Sequence, residues 1–143
     1  MDQGENGASG TILWLMKYGF ARQRRIVEEA MRSNGVTATQ AGVLTQLHES
    51  PGLSSSDIAR RLILTPQAVV AAVASLEKLA LIERTDDPTH GRIRRCFLTD
   101  DGERVAKACE AASGEVEGKL LAAFDTSQRQ AFTDLLELYV RER

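Results

Sequence analysis

Histidine and cysteine are scarce in this chain, and the few present do not form a reactive site. The two histidines, His48 and His90, stand far apart in sequence, and the two cysteines, Cys96 and Cys109, lack the spacing of a metal-ligand pair. No glycine-rich phosphate loop and no paired-acid motif is present; Asp86-Asp87 and Asp100-Asp101 read as turn and helix-start residues. Without a nucleophile beside a base, a metal constellation or a phosphate cradle, the chain is not expected to be an enzyme or to carry a metal or cofactor. Long apolar runs are also missing: none approaches the roughly 18–20 residues that a membrane-crossing helix needs. The polar start, residues 1–9, lacks the basic-then-apolar layout of a secretory signal and is expected to be flexible. With no secreted context to favour a disulfide, a reducing cytoplasm is the simplest compartment, and no membrane partner is expected.

An excess of positive charge is absent too. Eighteen basic residues against 20 acidic ones leave a net charge of −2, so no global field holds nucleic acid indiscriminately. Any contact with DNA has to come from a local basic patch. What the chain does have is 43% hydrophobic and 27% charged residues over 143 positions, enough apolar surface for one core and an interface. There is no internal repeat and no low-complexity segment.

The elements are well punctuated. Residues 10–33 read as a long helix whose apolar positions (Ile12, Leu13, Leu15, Met16, Phe20, Ile26, Val27, Ala30 and Met31) cover more than one stripe, so it is expected to be covered on more than one side. Ser33-Asn34-Gly35 stops it. Thr37-Ala38-Thr39-Gln40 has the capping-box pattern, opening a helix with Val43, Leu44 and Leu47 that ends before Ser50-Pro51-Gly52. Ser54-Ser55-Ser56-Asp57 repeats the start signal for a helix of about two turns. After Ile63-Leu64, the pair Thr65-Pro66 opens the next helix with a capping hydroxyl and a proline at the first helical position. Its expected buried stripe is Val69, Val73, Leu76 and Leu79. From Leu81 the period changes: residues 81–85 and 94–98 read as short strands around a hairpin loop at 86–93. Thr99 caps a second long helix running to about residue 124, and Asp125-Thr126-Ser127-Gln128 starts the last.

A short helix, a tight turn, a second helix and a two-stranded loop describe a winged helix-turn-helix, and the fold class expected is mainly α with a small β-hairpin wing. In such a unit residues 54–62 brace the following helix, which presents its outer face to the major groove. That face is expected to hold Gln67, Ala68, Ala71, Ala72 and Ser75, with no large residue before Lys78. Gln67 suits a bidentate pair with adenine and the alanines suit thymine methyls, although alanines also simply favour helix and pack on neighbours. Arg92, Arg94 and Arg95 cluster around the returning strand with no acidic residue between Thr89 and Thr99, which suits phosphate contacts and entry into a narrow minor groove. The candidate DNA-binding set is Ser54, Ser55, Ser56, Thr65, Gln67, Ala68, Ala71, Ser75, Arg92 and Arg94, and the partner is double-stranded DNA. A winged helix used only for protein contacts is the alternative.

One ordered series carries a resemblance. It runs Val36-Thr37-Ala38-Thr39-Gln40, Leu53-Ser54-Ser55-Ser56-Asp57-Ile58-Ala59, Leu64-Thr65-Pro66-Gln67-Ala68-Val69, Leu76-Glu77-Lys78-Leu79-Ala80-Leu81-Ile82-Glu83-Arg84, Asp87-Pro88-Thr89-His90-Gly91-Arg92 and Leu98-Thr99-Asp100-Asp101-Gly102. In this the chain resembles a MarR-family transcriptional regulator. The resemblance implies a homodimeric repressor that reads a pseudo-palindromic operator, with residues 10–35 and 99–143 as the dimerisation region and 36–98 as the DNA-binding region. It also implies a small phenolic or anionic effector. Trp14 and Tyr18, one turn apart, and His48 are the candidates to meet it, unless they only pack the interface. Two departures stand out. At the wing tip the resemblance implies Asp-Arg-Arg where this chain has His90, Gly91 and Arg92, so the aspartate that steadies the wing is missing. Ala71 and Ser75 stand where relatives often carry arginine, which implies modest affinity and strong salt dependence. The family's redox switches would need a reactive thiol; Cys96 beside Arg94 and Arg95 is the only one so placed, and a structural role suits it better.

Overall fold

The structure is a computed structural model that describes residues 10–141; the segment expected to be flexible, 1–9, lies outside the described residues. In chain order the elements are α1 (Ile12–Arg32), α2 (Ala38–Glu49), α3 (Ser55–Leu62), α4 (Pro66–Lys78), β1 (Ile82–Asp86), β2 (Arg94–Leu98), α5 (Asp100–Leu120) and α6 (Thr126–Arg141). This is the mainly α fold with one hairpin that the sequence predicts.

Local chemistry sets most of the boundaries. Thr37 accepts from the Gln40 N–H at 3.1 Å while the Gln40 side chain accepts from the Thr37 N–H at 3.0 Å, a complete capping box. Ser54 and Asp57 make the same reciprocal pair. Thr65 accepts from Ala68 ahead of Pro66, Thr99 accepts from Gly102, and Asp125 pairs with Gln128. Each such cap is worth about 1 kcal/mol. The helix expected to reach residue 124 ends at Leu120 instead. The chain turns there, and Phe124 meets Phe132 edge-on with ring centroids 5.5 Å apart.

The core lies where α2, α3 and α4 meet the hairpin. Val43, Leu44, Leu47, Ile58, Val69, Val73 and Leu76 are fully buried, joined by Ile82 and Cys96 from the strands, Met31 from α1, and Ala106 and Cys109 from α5. One position of the expected α4 stripe is corrected: Leu79 is 52% exposed, while Ala72, expected on the outer face, is buried at 7%. The buried set 69, 72, 73, 76 steps by three, one and three, which keeps one helix face. Leu79 is already the C-terminal cap residue, where the chain leaves that face. Elsewhere apolar surface is left uncovered within the single chain. Ile12, Leu13, Leu15 and Phe20 of α1 are exposed, and α6 has no buried residue.

β1 pairs antiparallel with β2 from Ile82↔Leu98 to Asp86↔Arg94. Cys96 also exchanges both backbone bonds with the turn before α3: its N–H donates to Leu53 and its carbonyl accepts from Gly52, each at 2.9 Å. The hairpin is thereby sewn to the start of α3. Between α3 and α4, Ile63 sits at φ +53 with 82% of its surface exposed, a left-handed conformation that disfavours a branched side chain by about 1–2 kcal/mol.

α5 enters against the start of β1 so closely that a Cβ on Gly102 would lie 1.9 Å from the Leu81 carbonyl oxygen. Gly102→Ala is therefore expected to lower stability by about 3 kcal/mol. Gly114→Ala, in open space on the same helix, should raise it by about 0.5–1 kcal/mol. Urea unfolding of both variants against wild type measures the difference.

Candidate nucleic-acid interface

The cap that starts α4 also fixes what its first turns display. Thr65 and Gln67 are exposed at its entry, Ala71 is exposed one turn on, and Ala68 is half-buried. Ser75 is less available than the sequence suggests, because the Gln40 side-chain amide donates to its hydroxyl at 3.0 Å and ties it to α2. The outward face is also bulkier than expected: Val70 is 54% exposed.

The hairpin is held to these helices by carboxylate–guanidinium pairs. Glu77, in the last turn of α4, accepts two bonds from Arg84 of β1 at 2.8 and 2.9 Å. The pairing holds the Glu77 carboxyl below its ordinary range and raises the Arg84 pKa above its own. In the loop, Asp87 accepts from the Thr89 N–H at 2.8 Å, the Thr89 hydroxyl at 2.7 Å and the His90 N–H at 3.3 Å. Its second oxygen takes the Arg95 guanidinium at 2.8 Å. Bonds from Thr89, then from Arg95, hold the Asp87 carboxyl well below the usual carboxylate range. The wing is thus steadied by an aspartate after all, from position 87 rather than from the tip.

The three wing arginines have different surroundings. Arg95 is engaged by Asp87, by Asp57 at 3.7 Å and by the Gly52 carbonyl at 3.3 Å. Arg94 is exposed and lies 3.6 Å from Asp86. Arg92 is exposed and makes no ion pair among the described residues. Between the wing and the start of α3 runs an open groove of about 820 Å³. Ser54, Ser55 and Ser56 line one side, Arg92 and Arg94 the other, and Pro66 the end nearest α4. Five of the ten candidate residues therefore share one groove, and Thr65, Gln67 and Ala71 lie on the helix beside it. Three further groove cations, Arg60, Arg84 and Arg95, were not among the ten candidates. Arg60 pairs with Asp57, and only its place at the end of an eight-residue helix marks it in the sequence.

The candidate effector residues are not brought together within one chain. Trp14 and Tyr18 stack with centroids 5.1 Å apart on the exposed half of α1. His48 places Nδ1 2.6 Å from the Glu103 carboxylate and so joins α2 to α5. None of the three lines a second cavity, of about 520 Å³, which lies among α1, α2, α5 and α6. Its walls are Val27, Met31, Leu62, Val116, Leu120 and Phe132, with Gln23 and Thr45 at polar positions. Burial pushes the thiols of both Cys96 and Cys109 up, away from thiolate chemistry. Among the described residues no single helix is long and apolar enough to cross a membrane.

A family model for the MarR family matches residues 34–93, from the turn before α2 to the end of the wing loop. The transcriptional repressor Rv2887 of Mycobacterium tuberculosis is 32% identical over 111 residues, 78% of this chain and 80% of that protein. The chain belongs to the MarR family. A structure of MarR-family Rv2887 in complex with DNA matches with a TM-score of 0.75 at 28% identity, covering 91% of this chain and 98% of that one. Another, in complex with salicylic acid, matches with a TM-score of 0.74 at 30% identity, covering 91% and 96%. BpsR of Bordetella bronchiseptica has the same fold, with a TM-score of 0.87 at 19% identity over 98% of this chain and 100% of that one. The family match ends in the wing loop that Asp87 organises.

Because the Asp87 carboxyl is depressed in the folded protein, it adds stability above the unfolded pKa of about 4 and loses it as pH falls from there. Urea unfolding between pH 5 and pH 2.5 should show that loss in wild type. In Asp87→Asn the acid slope should be shallower and stability at pH 7 lower.

Proposed function

We propose that this MarR-family protein is a cytoplasmic transcriptional repressor that binds a pseudo-palindromic operator as a homodimer and is released by a small aromatic effector. The observation that carries the reading is the groove in which Ser54, Ser55 and Ser56 oppose Arg92 and Arg94 beside the exposed start of α4. A helix entry on one side and cations on the other supply phosphate contacts to either side of a helix presented to the major groove. Residues 36–98 form the DNA-reading lobe. Residues 10–35 and 99–143 form the dimerisation region, which gives the exposed apolar residues of α1 and α6 a partner. The likeness to Rv2887, whose structures include complexes with DNA and with salicylic acid, supports both halves of the proposal. The cavity between α1, α2, α5 and α6 is the place for the effector, since it touches the dimer helices and the reading lobe at once.

Selection of genomic fragments by the purified protein, followed by a salt titration on the best fragment, tests the first half. A pseudo-palindrome should be recovered whose affinity falls steeply with salt, and Arg92→Ala, which removes one cation from each subunit of the dimer, should reduce the log–log salt slope by about 2. Failure to enrich any fragment at low salt would favour a protein-docking winged helix. For the second half, salicylate should weaken operator binding by wild type. Leu120→Trp, which puts an indole into the cavity and narrows it, should bind the operator within about twofold of wild type (~0.4 kcal/mol) and weaken the salicylate response.

A further inference from the structure

We propose that Arg95 is a positioning residue: it is a strut that sets the distance between the wing and the start of α3, and it does not touch DNA. The inference rests on the DNA-binding reading above and says which wing arginines do the contacting.

In sequence Arg95 looks like the third member of a basic cluster. In the structure its guanidinium is used up on three segments of protein. Nε and Nη2 grip the Asp87 carboxylate, both at 2.8 Å. Nη1 reaches the Gly52 carbonyl at 3.3 Å and the Asp57 carboxylate at 3.7 Å. Asp87 is the residue that shapes the wing loop through Thr89 and His90, and its own N–H donates to Ile93 at 2.8 Å. Asp57 is the capping partner of Ser54 at the start of α3. One side chain, only 36% exposed, therefore ties the loop that carries Arg92 to the helix entry that carries Ser54, Ser55 and Ser56. These are the two walls of the groove. Nε and Nη2 both meet the one oxygen, Oδ2, that Thr89 and His90 leave to them, while Nη1 reaches the other way; a planar fork spans these directions at once, and the single point charge of a lysine does not reproduce it. Arg95 also lines the groove, but Asp87 at 2.8 Å, with Asp57 at 3.7 Å, offsets its charge and holds its N–H groups toward protein. Arg92, without an ion pair among the described residues, and Arg94, 3.6 Å from Asp86, remain for contact with phosphate.

The test compares Arg95→Ala, Arg95→Lys and Asp87→Asn with Arg92→Ala, measuring operator affinity across salt concentrations and amide hydrogen exchange of the wing in the free protein. A strut predicts that all three Arg95 and Asp87 variants weaken binding tenfold or more with an unchanged salt slope. Exchange at Asp87, Thr89, His90 and Ile93 should speed up in these three and not in Arg92→Ala. The proposal is overturned if Arg95→Ala lowers the salt slope of the dimer by about 2, if Arg95→Lys binds like wild type, or if Asp87→Asn tightens binding by freeing a cation. Should wild type bind no DNA, the functional reading fails, and the exchange measurement alone still decides the strut: unchanged wing exchange in Arg95→Ala would refute it.

Discussion

The Leu81 carbonyl oxygen joins three parts of the molecule. It lies just past the turn that ends α4, accepts from the Thr99 N–H at 3.1 Å, and lies so near Gly102 that no side chain fits there. Beside it the Thr99 hydroxyl donates to the Ala80 carbonyl at 2.7 Å while its oxygen caps α5 through Gly102. The exit of α4, the open end of the hairpin and the first turn of α5 therefore meet at one backbone oxygen. Ala80, at φ +56, supplies the bend that makes this meeting possible. Because the joint consists of backbone bonds and a close approach rather than long side chains, it has little freedom to yield. The pose of the wing relative to α4 is then trimmed by the Glu77–Arg84 pair.

An acidic protein uses its carboxylates here to arrange arginines. Asp57 holds Arg60, Glu77 holds Arg84, and Asp87 holds Arg95. Each pair sits on or beside the groove, and each removes a cation from competition while fixing backbone that carries other groove residues. Only the Asp57–Arg60 pair has a largely exposed arginine and so contributes little to global stability; the other two are half-buried or better and add stability as well as geometry. Net charge is a poor guide to such a surface: −2 for the chain coexists with an arginine at the wing tip that makes no ion pair among the described residues.

What could be read from the sequence was local in origin. Thr37, Ser54, Thr65 and Thr99 announce helix starts because a capping bond spans only three residues, and all four are caps in the structure. The winged helix-turn-helix followed from their order. The site was legible as a neighbourhood and less so as a set of roles. Ser75 is on α4 as expected, but its hydroxyl is engaged by Gln40, 35 residues earlier in the chain. Arg95 differs from Arg94 only through carboxylates 8 and 38 residues away, as its bonds to Asp87 and Asp57 record. The error over Ala72 and Leu79 has another source. A small residue near the middle of a helix is compatible with either face, and leucine at a helix end is apolar without being covered.

Two polar ties connect residues 36–98 to the long helices, a third lies within that span, and together they limit how any effector can act. Glu28 of α1 accepts from the Ala38 N–H at 3.2 Å, Gln40 then links the same end of α2 to Ser75 on α4, and His48 links the other end of α2 to Glu103 on α5. All three pass through α2, and α2 also walls the apolar cavity through Ala41, Gly42 and Thr45. A ligand there displaces nothing unless it fits one spacing of α2 against α1 and α5 better than another. If it does, the Gln40–Ser75 bond transmits the shift to the helix that faces the groove. Gly42 sharpens the constraint, because a Cβ at that position would press on Leu62 at 3.3 Å. α2 and the end of α3 are thus in close contact on the cavity's edge. Movement of α2 is then felt by both helices of the helix-turn-helix together, as a change in the placement of the lobe rather than a distortion within it.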